Sequence, residues 1–191
     1  VMLALGNNPA VLLRAIKRAT DTKRLRSIRH GIMTLLQGYL EQNIPIGLVS
    51  KIISELNDAS TKRIIEITLD AMETKPSVNF TWLTMGSQGR GEQLLNTDQD
   101  NALIFEDVPE DKLEETRSYF LQLGSKISKE LNTVGFEYCP AEMMASNPLW
   151  CHSLNEWKDV TSHWINNPGP EEILLSSIFF DYNVTYGSKA L

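Results

Sequence analysis

Residues 86–100, which read GSQGRGEQLLNTDQD, combine a glycine- and serine-rich turn with two closely spaced carboxylates. Glycine lets the backbone N–H groups of such a turn approach a phosphate closely, and a helix that starts there adds further unpaired N–H groups. Side chains two residues apart on a strand share a face, so we expect Asp98 and Asp100 to point the same way. Carboxylates that close repel each other unless a hard divalent cation lies between them. The pattern predicts a phosphate cradle beside a metal site, the minimum equipment for chemistry on a nucleoside triphosphate.

Apolar segments on both sides of this motif predict the strands that position it. Residues 80–85 read FTWLTM and precede the turn, and residues 102–105 read ALIF and follow the second carboxylate. Such short apolar runs next to a turn are typical of buried strands. We therefore predict a strand, a glycine-rich turn that opens a short helix, and a second strand that carries Asp98 and Asp100.

The order of these parts resembles a known superfamily of nucleotidyltransferases, which includes DNA polymerase beta and the aminoglycoside nucleotidyltransferases. More narrowly, GSQGRGE at residues 86–92 and TDQDNA at residues 97–102 resemble bacterial nucleotidyltransferases found downstream of CBS or cyclic-nucleotide-binding modules. That group is similar to PII uridylyltransferase and glutamine-synthetase adenylyltransferase. Residues 139–150, CPAEMMASNPLW, fit its C-P-x-x-x-M-A-x-N-x-x-W stretch.

The resemblance implies that three aspartates bind metal and carry the reaction. Asp98 and Asp100 would hold Mg²⁺ or Mn²⁺, which bridges and neutralises the triphosphate of the NTP substrate. Asp181 lies in an F-D-Y segment that matches the strand on which the superfamily carries its third carboxylate. It would complete a two-metal site and help to deprotonate the attacking hydroxyl.

The resemblance also implies a phosphate-binding role for the turn itself. The backbone around Gly86 and the Ser87 hydroxyl would hold the terminal phosphates, with Arg90 as a charged clamp. A structural salt bridge between Arg90 and Glu92 is an equally simple explanation of that arginine.

An enzyme is the first function hypothesis, and the resemblance implies its partners. It would move a nucleoside monophosphate from an NTP to an acceptor hydroxyl, either on a signalling protein or on a small molecule. The family places a CBS or cyclic-nucleotide-binding module upstream of such a core, and a helical domain that holds the acceptor downstream of it. The chain looks like a piece of a longer protein of this kind.

Two other function classes stay open. Family members often carry Arg and Asp at the positions of Asn183 and Ser188. A regulatory module that senses nucleotide with weak or no transfer would fit this departure. A helical interaction scaffold would leave the glycine and aspartate motif unexplained.

Composition excludes several classes of protein. Residues 1–75 carry 11 Lys and Arg against 7 Asp and Glu, whereas residues 76–191 carry 7 against 17. An acidic catalytic half is a poor nucleic-acid surface, so we expect no nucleic-acid partner. Cys139 and Cys151 make no disulfide framework, and no apolar run is long enough for a membrane span. These features favour a cytoplasmic protein without a membrane partner.

Helical periodicity dominates the N-terminal part. It predicts two helices within residues 9–41 and a third over residues 46–73, with a possible interruption at residues 57–60. We divide the chain into an N-terminal helical region, residues 1–75, and a catalytic core, residues 76–191. The fold class is α+β: helices followed by a polymerase-beta-like nucleotidyltransferase core, with a small mixed sheet flanked by helices.

The C-terminal part alternates between apolar runs and breakers. A long amphipathic helix is predicted after Pro109, followed by a short strand over residues 134–138 and a helix over residues 150–164. We expect a short helix or turn over residues 171–177 and a last strand over residues 178–184.

Several other polar and aromatic residues have local structural interpretations. Asn101 can either stabilise the strand predicted to carry the carboxylates or only bind local backbone beside the turn. Asn147 and Met144 favour capping or core roles, and the tryptophans are expected to be packing anchors. The histidines lack metal-ligand spacing. A basic group in the first helices indicates either a solvated helix face or a docking surface, and consists of Arg14, Lys17, Arg18, Lys23, Arg24, Arg26 and Arg29.

Overall fold

Three helices form the N-terminal part of the computed structural model, which describes residues 8–86, 98–188 and 190–191. They are α1 (Pro9–Arg18), α2 (Thr22–Glu41) and α3 (Ile46–Ala71). The Asp21 side chain caps α2 by accepting a hydrogen bond from the N–H group of Arg24 at 2.8 Å. Among the described helices, none is both long and apolar enough to cross a membrane.

A four-stranded mixed sheet follows. Its strands are β1 (Phe80–Thr84), β2 (Asn101–Phe105), β3 (Cys151–Ser153) and β4 (Asn183–Gly187), in the order β3-β2-β1-β4. The central strand β1 is antiparallel to β2 and β4, and β2 is parallel to the short β3. Both central strands are buried along their whole length, as their apolar sequences predict. The α+β class with a small mixed sheet is confirmed.

The other helices flank this sheet. They are α4 (Glu110–Val134), a single 3₁₀ turn (Pro148–Trp150), α5 (Leu154–Asn166) and α6 (Pro170–Phe180). Ser153 and Glu156 form a capping box at the start of α5. The helix α4 begins directly after Pro109, which confirms the long helix predicted there.

Two apolar clusters lie on opposite faces of the sheet. On one face, β1 and β2 pack with α1 to α4 through Trp82, Phe105 and Phe120. On the other face, Leu83 and Ile104 pack against the aromatic side chains of α5 and α6. Because the first cluster contains residues from both 1–75 and 76–191, the two parts share one core, and their division into domains stays a prediction.

The predicted interruption of the third helix is wrong. Residues 57–60 continue α3 without a break, and Asn57 and Ser60 are buried at 1% and 4% exposure. These polar side chains find partners inside the protein instead of ending the helix, so a polar group within an apolar helix need not mark a turn.

The predicted strand over residues 134–138 and the start of the helix predicted over residues 150–164 need correction. Residues 134–138 form no strand; Glu137 makes only an isolated bridge to Asp98. The segment before α5 is the strand β3 rather than helix, because Ser153 caps the helix from Leu154.

The predicted last strand, residues 178–184, is also wrong in its first half. Pro170 at the first helical position and acidic residues in the first turn favour a helix, and α6 continues to Phe180. Asp181 is the residue that follows this helix, and β4 begins only at Asn183. Asp181 therefore lies in the turn between helix and strand, not on a strand.

Candidate functional site at the sheet edge

One edge of the sheet gathers the end of β1 and the starts of β2 and β4. Thr84, the last residue of β1, pairs with Asn101 on one side and with Asn183 on the other. Asp100 immediately precedes Asn101, and Asp181 lies two residues before Asn183. The antiparallel topology thus brings residues that are far apart in sequence to the same edge.

Gly86 and Asp100 lie close together at this edge. The N–H group of Met85 donates a hydrogen bond to the backbone oxygen of Asp100 at 2.9 Å, which continues the β1–β2 pairing by one step. Gly86 has φ +59°, and a Cβ atom there would lie 3.3 Å from Oδ2 of Asp100. Glycine therefore meets two needs at once, a left-handed backbone and space beside a carboxylate. Ser87 and Arg90 lie outside the described residues.

Asp98 and Asp100 interact electrostatically. Both side chains are partly buried, whereas Gln99 and Asn101 between and after them are fully buried. Burial raises the pKa of Asp100 and the charge of Asp98 raises it further, while a hydrogen bond from the Cys139 thiol opposes both effects. This is the repulsion expected of two carboxylates at positions i and i+2. A cation between them would relieve it.

Gln99 fixes the backbone between the two aspartates. Its Nε2 donates hydrogen bonds to the backbone oxygens of Ser128 in α4 and Phe136, both at 2.9 Å. Its own N–H group donates to the oxygen of Glu137 at 2.8 Å. The sequence interpretation missed this residue, although its place between two carboxylates at strand spacing predicts that it faces inward.

Asn101 ties the start of β2 to the segment that carries the C-P and M-A-x-N motifs. Its N–H group donates to the oxygen of Met143 at 3.0 Å, and its Oδ1 accepts from the N–H group of Ala145 at 2.7 Å. Gly124 of α4 allows this segment to come close, because a Cβ there would lie 2.6 Å from the oxygen of Ala145. Asn101 binds backbone, but its partners lie more than forty residues further along the chain, so a purely local role beside the turn is wrong and Asn101 instead supports the start of β2.

The remaining family positions have structural roles. Asn147 caps the 3₁₀ turn by accepting from the N–H group of Leu149 at 3.0 Å, and Met144 is buried at 8% exposure. Trp150, Trp157 and Trp164 form one aromatic cluster behind the sheet. The capping, core and packing interpretations are therefore confirmed.

Asp181 shares the sheet edge with the other two carboxylates but is not gathered with them. Within residues 8–86, 98–188 and 190–191, no group of three or more His, Cys, Asp or Glu side chains is arranged to hold a metal ion. The donor set of Asp98 and Asp100 is chemically suited to Mg²⁺ or Mn²⁺, since hard divalent cations prefer carboxylate oxygens. The role of Asp181 as a third ligand stays a prediction.

A helix-flanked mixed sheet with Gly86 and paired carboxylates at one edge is consistent with a nucleotidyltransferase-like core. Residues 30–171 match the family described as "Putative nucleotidyltransferase DUF294", and the chain belongs to this family. The match contains Gly86, Asp98 and Asp100 and ends before Asp181. No curated protein matches the chain.

Proposed function

We propose that the protein is a metal-dependent nucleotidyltransferase, which moves a nucleoside monophosphate from an NTP to an acceptor hydroxyl. The observation that carries this proposal is the coupled pair of Asp98 and Asp100 beside Gly86, at a sheet edge of a nucleotidyltransferase-family core. Like charges that are partly buried repel each other, and a divalent cation would relieve this repulsion, so the pair is suited to hold one.

In the proposed reaction, the acceptor oxygen forms a bond to the α-phosphorus, and the bond from that phosphorus to the leaving oxygen breaks. Pyrophosphate departs, and the proton of the acceptor hydroxyl moves to Asp181. Asp98 and Asp100 would hold Mg²⁺ or Mn²⁺, and Asp181 would hold a second ion. Bound metal would supply charge neutralisation at the triphosphate.

The phosphate end of the nucleotide is assigned to the turn after β1. The left-handed backbone at Gly86 favours a turn whose following N–H groups face a ligand. We assign the terminal phosphates to Gly86 and Ser87, and the clamp to Arg90. These three roles follow from the motif.

The acceptor and the partners are proposed from resemblance to PII uridylyltransferase and glutamine-synthetase adenylyltransferase. A protein side chain in a signalling circuit is the first candidate, and a small molecule is the second. The same resemblance proposes an upstream CBS or cyclic-nucleotide-binding module and a downstream helical domain in a longer protein. We propose no nucleic-acid partner.

A nucleotide sensor with weak or no transfer is the second candidate function. Two observations favour it: Asn183 and Ser188 stand where relatives often carry Arg and Asp, and the described residues gather no third carboxylate. A sensor needs the nucleotide site but not the geometry for transfer.

Binding of each NTP to this chain, titrated with and without Mg²⁺, tests the site. We expect Mg²⁺-dependent binding that is lost when Asp98→Ala and Asp100→Ala are combined. Equal NTP binding by the wild type and the double variant would contradict the assignment of Asp98 and Asp100 to the nucleotide site. Incubation of the full-length protein with labelled NTP and candidate acceptors then separates the enzyme from the sensor, because only the enzyme transfers label.

A further inference from the structure

Two adjacent polar residues in the middle of α3, Asn57 and Asp58, reach different parts of the candidate site. Neither was assigned a role by the motif. Asn57 is 1% exposed, and its Oδ1 accepts a hydrogen bond from Nη1 of Arg29 in α2 at 3.1 Å. Asp58 accepts through Oδ1 from the Thr185 hydroxyl in β4 at 3.0 Å.

The Asn57 contact leads to the segment that supports the two aspartates. Arg29 is buried at 8% exposure, unlike the other six basic residues of α1 and α2, which are exposed. Its guanidinium carbon lies 4.2 Å from the centre of the Phe136 ring. Gly135 makes room for it, because a Cβ there would lie 3.0 Å from Nε of Arg29.

Asp98 and Asp100 lie in the segment just before β2, not on the strand itself as predicted, and Phe136 is a direct partner of this segment. Its backbone oxygen accepts from Nε2 of Gln99 at 2.9 Å, and the neighbouring Glu137 pairs with Asp98 and accepts from the Gln99 N–H group. Asn57 and Arg29 thus hold the residues behind Asp98 and Asp100.

The Asp58 contact leads to the opposite side of the site. Thr185 Oγ1 lies 3.0 Å from Asp58 and 3.1 Å from Oγ1 of Thr84, the last residue of β1. Thr84 lies two residues before Gly86, and Thr185 lies four residues after Asp181. Asp58 therefore links α3 to the Thr84–Thr185 contact that joins the end of β1 to β4, near the edge where Gly86 and Asp181 are found.

Neighbouring polar residues of α3 show that this reach is specific. Ser60, Thr61 and Thr68 are buried, as Asn57 is, but each hydroxyl donates to a carbonyl of α3 itself, four residues earlier. Only Asn57 and Asp58 among these five residues use their side chains to contact the elements that carry the site.

We propose that Asn57 and Asp58 are positioning residues, through which α3 sets the spacing between the Asp98–Asp100 segment and the β1–β4 edge of the nucleotide site. The proposal rests on the proposed function for the identity of the ligand, but not for the positioning itself. Neither residue is assigned a contact with the nucleotide. A displacement of the N-terminal helices would therefore be transmitted to both sides of the site through the contacts of Asn57 and Asp58.

Amide hydrogen exchange in the full chain tests the positioning without any ligand. Asn57→Ala should speed exchange at Gln99, and Asp58→Ala should speed exchange at Met85, each by about tenfold, the equivalent of one net hydrogen bond. Asp58→Asn, which keeps an oxygen to accept from Thr185, should restore slow exchange at Met85. Ser60→Ala is the matched control, and both amides should keep their wild-type rates in it.

Two milder variants keep the test decisive if an alanine variant fails to fold. Arg29→Lys shortens the cation that stacks on Phe136, and Thr185→Val keeps the shape of the side chain but removes the donor to Asp58. They should reproduce the effects at Gln99 and Met85 respectively. Faster exchange spread evenly over all helices and strands, or unchanged rates at both amides, would overturn the proposal.

Titration with Mg²⁺ and NTP then connects positioning to the site. Asn57→Ala and Asp58→Ala should weaken Mg²⁺-dependent NTP binding by about tenfold, whereas Ser60→Ala and Asp58→Asn should stay within about twofold of the wild type. Wild-type protein that binds no NTP would remove the proposed function, and the exchange rates would still decide the positioning. Normal NTP binding in both alanine variants would overturn the link to the site.

Discussion

Gly86 and Asp100 face each other across the end of β1 and the start of β2, with 3.3 Å between the position of a Cβ on Gly86 and Oδ2 of Asp100. The same glycine has a left-handed backbone at φ +59°. Gly86→Ala therefore introduces backbone strain of about 1 kcal/mol and displaces a carboxylate of the proposed metal pair. We expect Mg²⁺-dependent NTP binding to fall by at least about tenfold, as measured by calorimetric titration.

Gly38→Ala is the matched control for this substitution. Gly38 lies within α2, and a Cβ there would meet nothing within 4 Å. Alanine should stabilise the helix by roughly 0.5–1 kcal/mol and leave NTP binding unchanged. Equal NTP affinity in Gly86→Ala and wild type would mean that this close approach has no part in binding.

The sequence predicted the elements of this edge better than the links between them. The apolar runs before Gly86 and after Asp100 specify β1 and β2 through local pattern alone. Asn57 was misinterpreted as part of a helix break, because its partner Arg29 is 28 residues away and no local pattern indicates that contact. The F-D-Y segment around Asp181 follows an apolar run that suits a strand or a buried helix equally well, so its position depended on Pro170 and on the tertiary packing of α6.

Gln99 should be more important for stability than its place between the two aspartates of the proposed metal site suggests. Gln99→Leu removes donors to the oxygens of Ser128 and Phe136, and leaves both carbonyls without this partner inside the core. We expect the free energy of unfolding to fall by about 2–3 kcal/mol, measured by urea denaturation. NTP binding should weaken as well, because the backbone between Asp98 and Asp100 loses its support.

An exposed glutamine provides the comparison for that loss. Gln37 in α2 donates only to Glu41 on the helix surface, at 3.0 Å. Gln37→Leu should change the free energy of unfolding by less than about 0.5 kcal/mol. A Gln99→Leu protein as stable as this control would show that the two buried hydrogen bonds contribute little.

Asp58 should make the protein less stable as the pH rises. Burial raises its pKa above 3.8, and this outweighs the lowering by the Thr185 hydrogen bond and by the charge of Lys62. Below the pKa that Asp58 has in the unfolded chain, its carboxyl is protonated in both states and does not lower the free energy of unfolding. As the pH rises from there towards the pKa in the folded protein, the carboxyl ionises first in the unfolded chain, which favours unfolding. Asp58→Asn should therefore stabilise the protein at pH 7 relative to wild type, and this gain should shrink towards pH 4.

Urea denaturation of both proteins between pH 4 and pH 7 measures that difference. Asp70→Asn is the control, because Asp70 is an exposed carboxylate in the same helix. As a surface substitution, it should change the free energy of unfolding by less than about 0.5 kcal/mol. A gain from Asp58→Asn that is the same at every pH would contradict the raised pKa.

The ion pair between Arg117 and Glu156 should have the opposite dependence on pH. Arg117 of α4 donates Nη1 to Glu156 Oε2 at 3.2 Å and Nη2 to Oε1 at 2.5 Å, and so attaches α5 to α4. Burial alone would raise the pKa of Glu156, but the Arg117 and Ser153 hydrogen bonds and the Arg117 charge together lower it below 4.5. The stability that the Glu156 carboxylate contributes is fully present above its pKa in the unfolded chain. It is lost as the pH falls through the lower pKa that Glu156 has in the folded protein.

Glu156→Gln should therefore destabilise the protein at pH 7 and have progressively less effect below about pH 4.5, as followed by thermal unfolding. Glu114→Gln is the matched control, because Glu114 bonds the same guanidinium at 3.3 Å from a side chain that is 84% exposed. An exposed pair of this kind contributes less than about 1 kcal/mol, so the control should unfold close to the wild-type temperature at both pH values. Equal destabilisation by the two glutamine variants at pH 7 would show that Arg117 does not use Glu156 to attach α5.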